Sequence, residues 1–218
     1  MKFWVILFRT TWSLAMFLAC GVYAQGTFLR TITFEGPPGI PPGTDIVLTY
    51  YYENSMTFTP LNPGDQFRRM GGGRIDFPEN GSAYLILAAF DSLSGSRGGR
   101  SRFGISSVDL AEFSTLYSFP RTVQFIGYRF DGTIVSTDFT TDGFIDGMGP
   151  TADFQTFYFD SRFSDLVSFA VPTHTYALDN LVFFDVIPEP SANILLLLGA
   201  ALNSLWLFKR RQSVCHLD

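Results

Sequence analysis

Residues 123–139 read VQFIGYRF-DG-TIVSTDF, two runs rich in β-branched and aromatic residues joined at Asp131-Gly132. Such runs favour strands. An Asp-Gly step between them signals a hairpin, because both residues tolerate the positive φ of a tight turn. The pattern repeats outward in both directions. Leu29–Glu35, Ile46–Tyr52, Ala83–Phe90, Phe103–Leu110, Phe154–Phe159, Leu166–Ala170 and Tyr176–Asp185 read as further strands, separated by turn clusters such as GPPGIPPG and NPGD. A sustained helical period is missing, apart from a single turn's worth at Val108–Phe113. The expected fold is all-β: a β-sandwich of the jelly-roll type.

Composition supports a single domain between two processing segments. Residues 1–24 and 188–218 differ from the middle, which spans 25–187 and is long enough to bury a core without staples. That middle has 20 Phe but no Trp, no Lys and no Cys, since Cys20 and Cys215 both lie in the ends. Its 10 Arg face 18 Asp plus Glu, a net charge of −8. An acidic balance argues against nucleic acid as a partner, because counterion displacement needs a basic face.

The first residues, MKFWVILFRTTWSLAMFLACGVYAQG, combine Lys2 and Arg9 with a short apolar run and small residues at 22 and 24. This is a signal peptide cut by signal peptidase between Ala24 and Gln25. A competing reading takes Phe17-Leu18-Ala19-Cys20 as a lipobox with Cys20 lipidated, although Leu18 stands two places before the Cys rather than three. At the other end Pro188-Glu189-Pro190-Ser191 precedes an apolar run, 192–208, closed by Lys209-Arg210-Arg211 in the 209–218 tail. Two prolines hold Glu189 in extended chain. The 17-residue run spans about 25 Å as a helix, at the short limit for a membrane crossing. The basic cluster stays in the cytoplasm, which puts the domain outside.

This tail resembles the PEP-CTERM sorting signal of Gram-negative bacteria. The resemblance implies a precursor held transiently in the inner membrane, recognised by exosortase near Pro188–Pro190, then transferred to the cell surface or an exopolysaccharide matrix. The extension Gln212–Asp218 departs from the family pattern. The plainer reading is a single-pass anchor in which Pro-Glu-Pro is only a linker. A second resemblance runs through TITFEG, FGISSVDL, GYRFDGTIV and FQTFYFDSRFSDLVSFAV with the closing YALDNLVFF. These segments look like the jelly-roll ectodomains of PEP-CTERM proteins, related in shape to carbohydrate-binding modules. The resemblance implies paired first and last strands and a structural Ca²⁺ near them, with Glu35 and Asp179 as candidate ligands. Carboxylate oxygens suit that ion, and solvated or hydrogen-bonded strand ends are the plainer reading.

Nothing in the sequence marks catalysis. The middle has one histidine, His174, and lacks a G-x-S-x-G elbow or an H-E-x-x-H pair. Its acids are too scattered to nominate a glycosidase pair. Arg97, Arg100 and Arg102, extended by Arg68, Arg69 and Arg74, form a candidate patch for an anionic glycan, since guanidinium forks pair with carboxylate and sulfate; a solvated loop is the competing reading. Tyr50, Tyr51 and Tyr52 offer stacking faces, of which alternation buries at least one. The expectation is a non-enzymatic surface or matrix protein; the alternatives are an exopolysaccharide-binding module and, third, a secreted hydrolase. The tail reading predicts that the mature protein, in a host with active exosortase, lacks residues 209–218. An intact mass that retains them would refute it.

Overall fold

The computed structural model describes residues 28–186 except Pro38 and Phe90, and the backbone but not the side chain of Arg100. The cleavage site Ala24–Gln25, Cys20, the Pro188–Ser191 motif and the Lys209–Arg211 cluster lie outside the described residues. No helix among those described is long and apolar enough to cross a membrane.

Among the described residues thirteen strands form, all paired antiparallel: β1 Leu29–Ile32, β2 Asp45–Leu48, β3 Tyr51–Glu53, β4 Met56–Thr59, β5 Phe67–Met70, β6 Tyr84–Leu87, β7 Leu93–Arg97, β8 Phe103–Glu112, β9 Thr122–Arg129, β10 Ile134–Thr140, β11 Gln155–Tyr158, β12 Leu166–Val171 and β13 Tyr176–Asp185. They make two layers. Sheet I runs β2-β5-β6-β13-β8-β11, with β1 beside the second half of β13; sheet II runs β3-β4-β7-β12-β9-β10. A single residue pair, Leu166 with Phe103, joins the layers. The fold is the expected β-sandwich, and its first and last strands pair, Leu29 with Phe184 through Ile32 with Leu181.

The inner row of sheet II shows how so many phenylalanines fit. Across the strands it reads Tyr51, Phe58, Gly95, Phe169, Gly127, Val135. A Cβ on Gly95 would lie 2.2 Å from the Phe169 ring, and one on Gly127 would lie 2.8 Å from Leu166. The glycines therefore leave the room the rings occupy. Phe169 meets Phe58 and Phe103 edge-on and lies tilted against Phe125, with centroids 6.3–6.4 Å apart. Edge-to-face geometry suits the ring quadrupoles. Inward residues of both sheets share this core, among them Ile32, Phe67, Leu85, Leu110, Leu178 and Phe183.

Several boundaries differ from the sequence reading. Ile46–Tyr52 is split into β2 and β3, and Phe103–Leu110 continues as strand to Glu112 through the stretch that showed a helical turn's period. The Asp131-Gly132 hairpin has a three-residue loop: Gly132 N–H donates to Arg129 O and Arg129 N–H to Thr133 O. Only Gly132 takes a positive φ, 84°. Asp131 instead accepts the Thr133 N–H and hydroxyl on its carboxylate. The turn is thus a helical-type bend closed by a left-handed glycine, a common three-residue solution.

Every residue of both apolar clusters lies between 32 and 183, and residues 187–218 separate as a different unit. Among the described residues the core is thus contained between Ile32 and Phe183. Phe169→Ala should lower stability by about 3–5 kcal/mol, the usual cost of emptying a buried ring site. Gly95→Ala should also destabilise, because its new methyl meets the same ring. Urea unfolding checks both, and a Gly95→Ala midpoint equal to wild type would contradict this packing.

Candidate functional site

The two outer faces are treated differently. Along β5, β6, β13 and β8, the outward residues Met70, Tyr84, Ile86, Ala177 and Ala111 are covered by Phe77, Phe113 and Phe154 from long loops. These loops are tied to each other. Thr115 N–H donates to Asp76 O, and the buried Asp153 carboxylate accepts the N–H groups of Glu79 and Asp146. Burial pushes the Asp153 carboxyl above its usual range, against those hydrogen bonds.

The outer face of sheet II is partly exposed among the described residues: Tyr52, Tyr128, Ile134 and Ser136 are exposed, Thr57, Ser96 and Ser168 half-buried, and Ala170 buried. Strand alternation sends Gly95, Phe169 and Phe125 inward and their neighbours outward. One outward row runs Tyr52, Thr57, Ser96, Ser168, Tyr128, Ile134, and the next runs Thr59, Ser94, Ala170, Ile126, Ser136. Tyr52 and Tyr128 are 53% and 38% exposed, with hydroxyl side chains between them. Four strand spacings separate the two tyrosines, roughly 19 Å. Thr59 and Ser94 hydroxyls bond at 2.9 Å, as do those of Thr122 and Thr140. On β9 and β10, Asp138 sits opposite Gln124 and is the charged residue among these outward positions. The surface is flat, hydroxyl-rich and nearly neutral, bracketed by aromatic rings. Of the tyrosine triplet, Tyr51 is buried, as alternation requires, while Tyr50 and Tyr52 are exposed.

Glu35 and Asp179 come to one loop. Glu35 is exposed and accepts the Ala83 N–H at 2.6 Å. Asp179 is fully buried and accepts from Asn80 Nδ2 at 2.5 Å, Ser82 Oγ at 3.0 Å and its neighbour's Asn180 N–H at 2.7 Å. Burial pushes its carboxyl up to about 7; those three hydrogen bonds oppose the rise, and Asp109, its cross-strand partner, adds to it. Phe34 and Asn180, which flank the two carboxylates, both adopt left-handed backbone, φ 56° and 44°. Both carboxylates accept hydrogen bonds from the Asn80–Ala83 loop, and no cluster of three or more His, Cys, Asp or Glu side chains exists among the described residues.

Of the candidate arginines, those with described side chains each bond a carboxylate or a backbone carbonyl. Arg97 pairs with Asp185 and lies over the Phe183 ring at 5.6 Å, while Arg30 meets the same carboxylate at 3.1 Å. Arg102 forks onto Asp165 at 2.5 and 2.7 Å and covers Phe130. Arg100 lies in a short 3₁₀ turn, Gly98–Arg100. Arg68 pairs with Asp45 and Arg74 with Asp76. Arg69 is buried, donating to Gly36 O at 2.7 Å. His174 is exposed in the loop before β13. Sequence reading offered Tyr52 as a stacking face but not the row it belongs to, because the Ser and Thr residues lie on β4, β7 and β12 and align only through pairing.

Neither a family model nor a curated protein matches the sequence. Among solved structures, the chain is similar to a mutant of CBM29-2 that was made to probe ligand recognition by family 29 carbohydrate-binding modules. That match has 14% identity, 75% coverage of this chain and 99% of that one, with a TM-score of 0.33. It is similar also to a family 11 carbohydrate-binding module from Clostridium thermocellum in complex with a β-1,3-1,4-mixed-linked tetrasaccharide, at 8% identity, 74% and 98% coverage and a TM-score of 0.29.

Proposed function

We propose that this chain is an exported, non-enzymatic surface domain that binds exopolysaccharide through the outer face of sheet II. The observation that carries the reading is the row from Tyr52 to Tyr128, two exposed rings bracketing hydroxyl side chains in register across five strands. Rings cover the apolar faces of sugars, and hydroxyls exchange hydrogen bonds with theirs; a rigid sheet holds both without an ordering cost at binding. The carbohydrate-binding modules similar to it in shape are in keeping with this reading. The sequence supports the rest of the route: signal peptidase releases the chain after Ala24, and exosortase acts at Pro188–Pro190 while residues 192–208 sit in the inner membrane. The product is a domain attached to the cell surface or matrix.

Within this reading, Glu35 and Asp179 supply carboxylate oxygens for a structural Ca²⁺ between the chain after β1 and the last strand. A divalent cation would relieve a buried carboxylate that has no ion pair among the described residues.

Depletion of purified 25–187 by the host's exopolysaccharide tests the glycan site. Binding should saturate, and Tyr52→Ala and Tyr128→Ala should each weaken it about tenfold, the scale of losing one aromatic anchor. Absence of saturable depletion, or wild-type binding by both variants, would reject the site. Chelation should lower the melting temperature of the same protein, and added Ca²⁺ should restore it by mass action. Glu35→Gln should abolish that response; an identical melt with and without chelator would remove the metal.

A further inference from the structure

Among the described residues five strands pair on one side only: β1, β2 and β11 in sheet I, β3 and β10 in sheet II. Four of these have three or four residues, and β2 also carries the Asp45–Arg68 pair. The fifth is different. β10 runs seven residues, Ile134–Thr140, in unbroken register against β9 and pairs with no other strand among the described residues. It contains no Lys, no Pro and no bulge, usual devices that keep an edge from pairing with another chain, and its one charged residue is Asp138.

We infer that β10 pairs antiparallel with β10 of a second copy of this chain, about a two-fold axis through Thr137. The strand's own sequence favours this register. Phe139 falls opposite Val135 of the second copy, and both are half-buried on the core side of their own sheet, so the pair extends the core across the joint. Asp138 falls opposite Ser136, whose hydroxyl donates to the carboxylate, and Thr140 falls opposite Ile134. Moving the axis one residue to Asp138 would shorten the ladder and set two carboxylates against each other. Opposed like charges destabilise a ladder, whereas matched polar and apolar pairs support it. The contact is isologous and closes at two copies. It joins two six-stranded sheets into one twelve-stranded layer with both outer faces on the same side. The pairing stands on the edge itself and does not depend on what that face binds. If the face binds polymer, the dimer engages one chain at two sites, and the effective concentration of the second raises avidity.

Sedimentation equilibrium of 25–187 over a concentration series decides the matter, with light scattering as a cross-check. Wild type should dimerise. Ser136→Asp, which faces Asp138 across both symmetry-related contacts, should raise the dissociation constant about tenfold or more, while Ser136→Lys should lower it by pairing with the same Asp138. Because the two variants are expected to move in opposite directions, a general loss of folding cannot imitate the result. A monomer throughout the series would overturn the inference, and so would a dimer that both substitutions leave unchanged or weaken alike.

Discussion

The Phe169 ring seated over Gly95 is the contact on which the sandwich depends. It touches Phe58 on one side and Phe125 on the other, and reaches Phe103 in the facing sheet, so one side chain ties β4, β9 and β8 to β12. Dense packing of large rings works only if their neighbours on the same face are small. Gly95 and Gly127 fill that need within sheet II, and Gly104 does so in sheet I, where Phe184 lies across it. A strand glycine would ordinarily weaken the ladder; here Gly95 and Gly104 are covered by rings from the next strand, and Gly127 by Leu166, Val135 and the Phe163 ring. The row behind the candidate binding face is therefore rigid, which is why the outward tyrosines and hydroxyls hold a fixed spacing.

The same economy governs charge. With no Lys in the domain, the described ion pairs all use arginine. Asp185 at the end of β13 gathers Arg30 from β1 and Arg97 from β7, clamping the first strand, the last strand and the opposite sheet together. Glu53 acts likewise without a cation, accepting from Thr33 N–H and hydroxyl, Phe34 N–H and the Tyr51 hydroxyl. Burial and the nearby Glu53 carboxylate raise the Tyr51 phenol far above its ordinary range, so it remains a donor. Arginines spent in this way are unavailable as an open cationic surface, and the face that stays exposed is nearly uncharged.

Legibility from sequence followed how local the determining interaction was. β13 was read at its true bounds, Tyr176–Asp185, because apolar and aromatic residues dominate it on both sides of Asp179-Asn180. β4, β5 and β7 went unread: MTFT alternates but is only four residues long, while in FRRM and LSGSR Arg69 and Gly95 point inward where an apolar side chain is expected. Arg69 tolerates that position by donating to Gly36 O and stacking over Tyr51, and Gly95 by receiving Phe169. Both compensations come from residues distant in sequence, so no window could reveal them. Glu35 and Asp179 were singled out from the resemblance of their surrounding segments, and the fold brings both to the Asn80–Ala83 loop.

By itself the sequence determined the β class, the hairpin at Asp131-Gly132, the acidic and lysine-free character of the domain, and terminal segments with the pattern of export and sorting signals. Each is a property of composition or of residues within a few positions of one another, and turn chemistry and strand propensity act at that range. Only the tertiary structure decided which tyrosines face water, which arginines are neutralised and which face stays bare. Those outcomes depend on register: a one-residue shift of any strand would exchange its inward and outward sets. The register of the Tyr52–Tyr128 row is set by rings fitting over glycines on neighbouring strands, a constraint that exists only once the strands are side by side.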